Sequence, residues 1–202
     1  MTDFGAPYDV PVPTVKELMR AGELYPGDDP QLNEELGRRQ ALVAALNALA
    51  PERAAERRAG LAELLAAIGE ETQIRAPFYC DWGDGIAIGA RCFLNFNCTL
   101  LDGAPITVGD ECMFGPGVQL ITATHPLDPE PRRAGIEQAL PVTLGDGVWL
   151  GANALVCPGV TIGENTVVGA GAVVTRDLPA GVLAVGSPAR VVREIAAADR
   201  PG

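Results

Sequence analysis

The chain has 202 residues, enough for one substantial core and a small appended unit. Its 26 acidic and 15 basic residues give a net charge of −11, which argues against a general nucleic-acid binder and against binding an anionic membrane surface. Hydrophobic residues at 48 %, with Gly 24 and Pro 17, point to a globular fold rich in turns.

The start of the chain lacks the basic segment and apolar run of a signal peptide, and no stretch approaches the roughly 20 apolar residues of a membrane span. The five cysteines, Cys80, Cys92, Cys98, Cys112 and Cys157, form no CxxC pair. Reduced, mostly buried thiols in a cytoplasmic protein are therefore expected, rather than a disulfide framework or a zinc site.

Residues 14–73 read as a helical cap. Thr14-Val15-Lys16-Glu17 fits a capping box opening a short helix to about Arg20. Asp29-Pro30 reads as a cap followed by proline, and Leu32, Leu36, Val43 and Leu46 recur at helical spacing. Pro51 opens a third helix, with Leu61, Leu64, Leu65 and Ile68 on one face and Gly69 at its end.

Residues 74–184 follow a different rhythm. Leu144, Leu150, Val156, Ile162, Val168 and Val174 recur at every sixth position. The same step runs through Ile88, Leu94, Leu100 and Ile106, then resets by two residues to Val108, Phe114 and Leu120. A period of six is neither helical nor the alternation of a simple strand. It is the hexapeptide period of a parallel β-helix, in which three short strands with their turns make one triangular coil. The aliphatic residue should point into the bore. The small residue after it (Gly145, Gly151, Cys157, Gly163, Gly169, Thr175) is expected to relieve the backbone at the corner.

Residues 122–142, with four prolines and no six-step, should leave the prism as an extended arm. Residues 185–202 read as a C-terminal tail. The chain's one histidine, His125, stands at the start of the arm.

These features resemble the hexapeptide-repeat acetyltransferases, and within them the maltose and galactoside O-acetyltransferases. The resemblance runs from about Val15 to Arg193. It rests on Arg20-Ala21-Gly22-Glu23-Leu24-Tyr25, Phe78-Tyr79-Cys80-Asp81-Trp82-Gly83, Asn95-Phe96-Asn97-Cys98 and Thr122-Ala123-Thr124-His125-Pro126. Pro141-Val142, Gly147-Val148-Trp149-Leu150-Gly151 and Gly186-Ser187-Pro188-Ala189-Arg190-Val191-Val192-Arg193 complete it. It implies a left-handed β-helix, an exception to the right-handed crossover rule. It also implies a homotrimer with active sites between subunits, and acetyl-CoA along the outside of the prism as co-substrate, with no metal.

On that resemblance the reaction is acetyl transfer to a hydroxyl of a maltose-, glucose- or galactoside-like sugar. His125 is the general base, since an imidazole with a reference pKa of about 6.5 suits proton removal from a hydroxyl. Asn95 faces the active site, to bind the acceptor or stabilise the transition state; its other reading is a β-helix corner residue. Glu137 either fixes the tautomer of His125 or is a solvated glutamate. Asp29 (or Asp28), Asp81 and Asp102 are candidate acceptor contacts, with Asp29 equally a helix cap. Gly103 stands where the galactoside branch carries a second aspartate.

On the cofactor side, Trp149 shields the thioester or simply packs. Ala152 and Ala170 let backbone approach the pantetheine. Thr175, Arg176, Arg190 and Arg193 match the region around the adenosine phosphates, where guanidinium forks suit phosphate. Rival readings keep the fold but change the acceptor to an amine, a serine or an antibiotic, or make the protein a non-catalytic trimeric scaffold. A γ-class carbonic anhydrase needs three histidines and fails with one.

Overall fold

The six-residue spacing becomes a three-sided prism in the computed structural model, which describes residues 12–196. The first face carries Ala67–Ile68, Ile86–Ile88, Ile106–Val108, Val142–Leu144 and Thr161–Ile162. The third carries Phe78–Cys80, Cys98–Leu101, Gln119–Ile121, Leu155–Val156 and Val173–Val174. The second, of seven strands, runs from Gln73–Ile74 through Phe93–Leu94, Met113–Phe114, Trp149–Leu150 and Val167–Val168 to Val182–Val185 and Arg190–Glu194. Pairing along each face is parallel except at the last step, where Arg190–Glu194 turns back antiparallel on Val182–Val185. The segment read as a tail thus begins as a strand; residues 197–202 of it lie outside the described residues.

Each of the six aliphatic residues from Leu144 to Val174 is at most 1 % exposed. Full burial of such side chains contributes roughly 1.5–3 kcal/mol each. A second inward row lies four residues on: Val148, Ala154, Val160, Thr166, Ala172 and Leu178 are all buried. Thr166, the polar member, donates its hydroxyl to the Pro179 carbonyl at 2.6 Å.

The corners correct the expectation for the glycines. The positive-φ residue is the third after each aliphatic residue from Leu144 to Val168: Gly147 (67°), Asn153 (58°), Gly159 (80°), Asn165 (55°) and Gly171 (67°). Gly145 and Gly151, directly after the aliphatic, are small for a different reason. A Cβ on Gly145 would sit 2.7 Å from the amide N of Glu164, and one on Gly151 2.5 Å from that of Ala170. Coils stack too closely there for a side chain.

Register explains the two-residue reset. In the early coils partners are 20 positions apart, as in Ala67 with Ala87 and Phe78 with Cys98. In the late coils they are 18 apart, as in Thr143 with Thr161 and Leu155 with Val173. The extra residues enter at one corner, between third and first faces, as the loops 81–85 and 102–105. The arm leaves from this same corner.

The cap closes the prism's first end. Helix α1 (Val15–Arg20) has the capping box expected at Thr14 and Glu17. Helix α2 (Pro30–Asn47) covers the edge strand Phe78–Cys80: the Asn47 amide donates to the Phe78 carbonyl at 2.8 Å and its oxygen accepts from the Phe78 N–H at 2.9 Å. This occupies backbone groups that an open edge would leave unpaired. Helix α3 (Ala54–Leu64) ends before Gly69, because the first strand of the prism is already Ala67–Ile68. The prism therefore starts inside the segment read as cap.

The arm is not a bare extension. Ala123–Thr124 and Ile136–Ala139 pair antiparallel, and helix α4 (Pro129–Arg133) forms its tip, capped by Asp128. The outer limb also pairs with Tyr25–Pro26 of the cap. Pairing satisfies backbone groups that a lone extended segment would leave to water.

Candidate functional site

The three stacked excursions at the third-to-first corner create a recess beneath the cap. Loop 81–85 is held by Asp102, whose carboxylate accepts from the N–H groups of Asp81, Trp82 and Gly85 at 3.1, 2.9 and 3.0 Å. Asp102 is 0 % exposed. Burial pushes its carboxyl up, against the opposing effect of its amide donors and of Arg20, 3.7 Å away. It is thus a scaffold residue and not an acceptor contact: its oxygens are already engaged, and no surface is left for a ligand.

Asp29 serves as a helix cap, and unlike Asp102 it is partly exposed with its second carboxylate oxygen left over. Its carboxylate accepts from the Gln31 and Leu32 N–H groups at 3.0 and 2.9 Å, as the N-cap of α2. In loop 81–85, Asp84 is the point on which Lys16 and Arg20 of α1 and Arg39 of α2 converge. Against the cost of burial, Lys16 and Arg20 hold the Asp84 carboxyl below its usual range.

Between cap, loop 81–85 and arm lies a cavity of about 170 Å³. Asp81 and Glu137 line it, with Tyr25, Asn33, Trp82 and Ala123, and no basic residue does. Asp81 is pushed up to about 6, first by burial and then by the neighbouring Asp102 and Glu137. The Tyr25 hydroxyl donates to Glu137 at 2.9 Å. Among the described residues Glu137 bonds Tyr25 and not His125, so the tautomer-fixing contact is not made within one chain. Gly27 makes room for this arrangement, since a Cβ there would fall 2.5 Å from the Glu137 carboxyl carbon.

Sequence reasoning assigned no role to Tyr25 or Trp82. Trp82 is 7 % exposed, and its indole Nε1–H is buried without a partner among the described residues. Both lie in the motifs that carry the resemblance, and adjacency to Asp81 was the available signal for Trp82. The cavity is thus lined by two carboxylate acceptors together with the Asn33 amide, a set suited to a polyhydroxyl ligand.

His125 is exposed and lies two residues along from Ala123, at the root of the arm. The other candidates occupy a different ridge. Asn95 sits at the second-to-third corner, where its Oδ1 accepts from the Phe96 N–H at 2.9 Å, leaving the side-chain NH₂ as its donor. Ala152 and Ala170 stack above it on that ridge, joined by the Gly171 N–H to Ala152 carbonyl bond at 2.8 Å. Trp149 is half exposed on the adjoining second face, between Met113 and Val167.

Thr175 and Arg176 return to the ridge of His125, at the end of the prism opposite the cap. Arg190 and Arg193 lie on the outermost strand of the second face at that same end. Their guanidinium groups donate to the Ala189 and Glu194 carbonyls at 2.8 and 3.0 Å. Within one chain the candidate set is therefore divided between the two ridges flanking the third face and the surface of the second face.

Family models match three segments of the chain: a maltose acetyltransferase hexapeptide capping motif at residues 18–69, a hexapeptide repeat of succinyl-transferase at 85–120, and a bacterial transferase hexapeptide at 141–176. The chain is 48 % identical to nodulation protein L of Rhizobium meliloti over 178 residues, covering 88 % of this chain and 97 % of that one. It is similar to the crystal structure of a maltose O-acetyltransferase from Clostridium difficile, with a TM-score of 0.89, 38 % identity, and 91 % and 98 % of the two chains covered. A galactoside acetyltransferase in complex with coenzyme A also gives a TM-score of 0.89, at 37 % identity over 93 % and 94 % of the chains.

Proposed function

We propose that this chain, which belongs to the maltose and galactoside O-acetyltransferase family of hexapeptide-repeat proteins, transfers acetyl from acetyl-CoA to a sugar hydroxyl, with His125 as general base. The observation that supports the reading is the recess at the root of the arm that carries His125: a small cavity lined by Asp81 and Glu137 and by no basic residue. Hydroxyls of a sugar donate to Asp81 and Glu137.

The chemistry follows from these groups. The His125 imidazole takes the proton of the acceptor hydroxyl as its oxygen attacks the thioester carbonyl. The tetrahedral intermediate carries an oxyanion, which the Asn95 amide meets as donor. Collapse breaks the carbon–sulfur bond, and the imidazolium returns its proton to the leaving CoA thiolate. The products are an acetyl ester and free CoA.

His125 and Asn95 lie on different ridges of one protomer. We therefore place the working site between copies in a homotrimer, with CoA running along Ala152, Ala170 and Trp149 toward Thr175, Arg176, Arg190 and Arg193. The five cysteines are free thiols, which supports a reducing, cytoplasmic setting.

The test is release of free thiol from acetyl-CoA with a panel of sugars, amino sugars, simple amines and serine. The expected result is a higher kcat/KM for a sugar than for any simple amine or serine. Preference for a simple amine would overturn the hydroxyl acceptor. No release with any acceptor would return the chain to the scaffold reading.

A further inference from the structure

At the capped end of the prism, on the second-to-third ridge, a separate groove of about 580 Å³ opens between α3 and the first coil. Arg57, Arg58 and Arg75 line it, together with apolar side chains including Leu61, Ile74 and Phe96, and no Asp or Glu does. In a chain of net charge −11, none of these three arginines forms an ion pair among the described residues.

Two of the three are engaged by neutral partners. Arg58 donates to the carbonyls of Thr72, Ile68 and Gly69 at 2.9, 3.3 and 2.8 Å. Arg75 lies over the rings of Phe93 and Phe96, 5.1 and 4.9 Å from their centroids. Arg57 donates Nη1 to the Ile74 carbonyl, but its Nε and Nη2 are buried with no partner among the described residues.

Burial lowers the Arg57 pKa, and no neighbouring carboxylate offsets that effect. Buried charged donors without acceptors are costly, and nothing in the wall of the groove relieves them. Nε and Nη2 are also the adjacent pair of a guanidinium, the edge that takes a carboxylate or phosphate through two parallel hydrogen bonds. The volume falls in the range of small-molecule sites.

We propose that this groove binds a small organic anion, a carboxylate or phosphate bearing a short apolar group. Its oxygens pair with the Arg57 guanidinium, whose side chain turns to present Nε and Nη2 to the groove, Arg75 adds charge at the rim, and its apolar part lies against Leu61, Ile74 and Phe96. The site is separate from the Asp81 cavity, and it stands whether or not the acceptor is a sugar.

Isothermal titration of the full-length protein with hexanoate and with hexyl phosphate tests this, and the two probes separate a carboxylate ligand from a phosphate one. Saturable binding of at least one probe is expected, weakened at least about tenfold in Arg57→Met and also weakened in Arg75→Ala, with CoA affinity unchanged. Arg75 is exposed, so its variant reads the site even where Arg57→Met folds poorly. Absence of saturable binding, or equal affinity in wild type and both variants, would overturn the site. So would failure of both probes to bind together with a changed oligomeric mass in Arg57→Met, which would assign the groove to a carboxylate of a neighbouring copy.

Discussion

Asp81 and Asp102 stand one coil apart at the same corner, yet they do opposite things. Asp102 turns inward to three amides, whereas Asp81 faces a cavity. In the sequence both stand as candidate acceptor carboxylates, and contacts across the coil separate them. Replacing Asp102 by Asn sets an NH₂ group among amide donors. It should cost about 1–3 kcal/mol in urea unfolding, through lost acceptors in a dry site. Unchanged stability with a raised sugar KM would instead restore Asp102 to the acceptor site. The cap role of Asp29 was legible, because Asp followed by Pro carries its own local signal. The orphaned donors of Trp82 and Arg57 were not legible, because an unpaired polar atom is defined only by what surrounds it.

At the scale of elements, the six-step named the inward row and the reset correctly, since every residue it picked from Leu144 to Val174 is buried. The reason for the small residues was partly misread. Stacking, not dihedral strain, keeps Gly151 small, and the strained position falls two residues later at Asn153. Gly151→Ala should therefore destabilise by about 1–3 kcal/mol through overpacking between coils. Thermal unfolding checks it, and a melting temperature equal to wild type would contradict the stacking account. The arm's departure was visible as a break in period. Its pairing with the cap was not, because Tyr25 and Glu137 meet across 112 positions and no local pattern announces such pairing.

At the scale of the whole molecule, the prism acts as a ruler. It places Asn95, Ala152 and Ala170 on one ridge, and Asp81, His125 and Thr175 on the next. Neither ridge alone holds the proposed base, the proposed oxyanion donor and the proposed cofactor track together. The proposed trimer would bring a second copy's ridge to face the first, so that acetyl-CoA and acceptor meet at a shared seam. Within that account every other group binds or orients, and His125 alone moves the proton. The most direct measurement is the steady-state kinetics of His125→Ala with acetyl-CoA and its best sugar, alongside CoA affinity by titration. The account predicts a fall in kcat of about 10²- to 10⁴-fold with CoA affinity unchanged. A variant with near-normal kcat would contradict it.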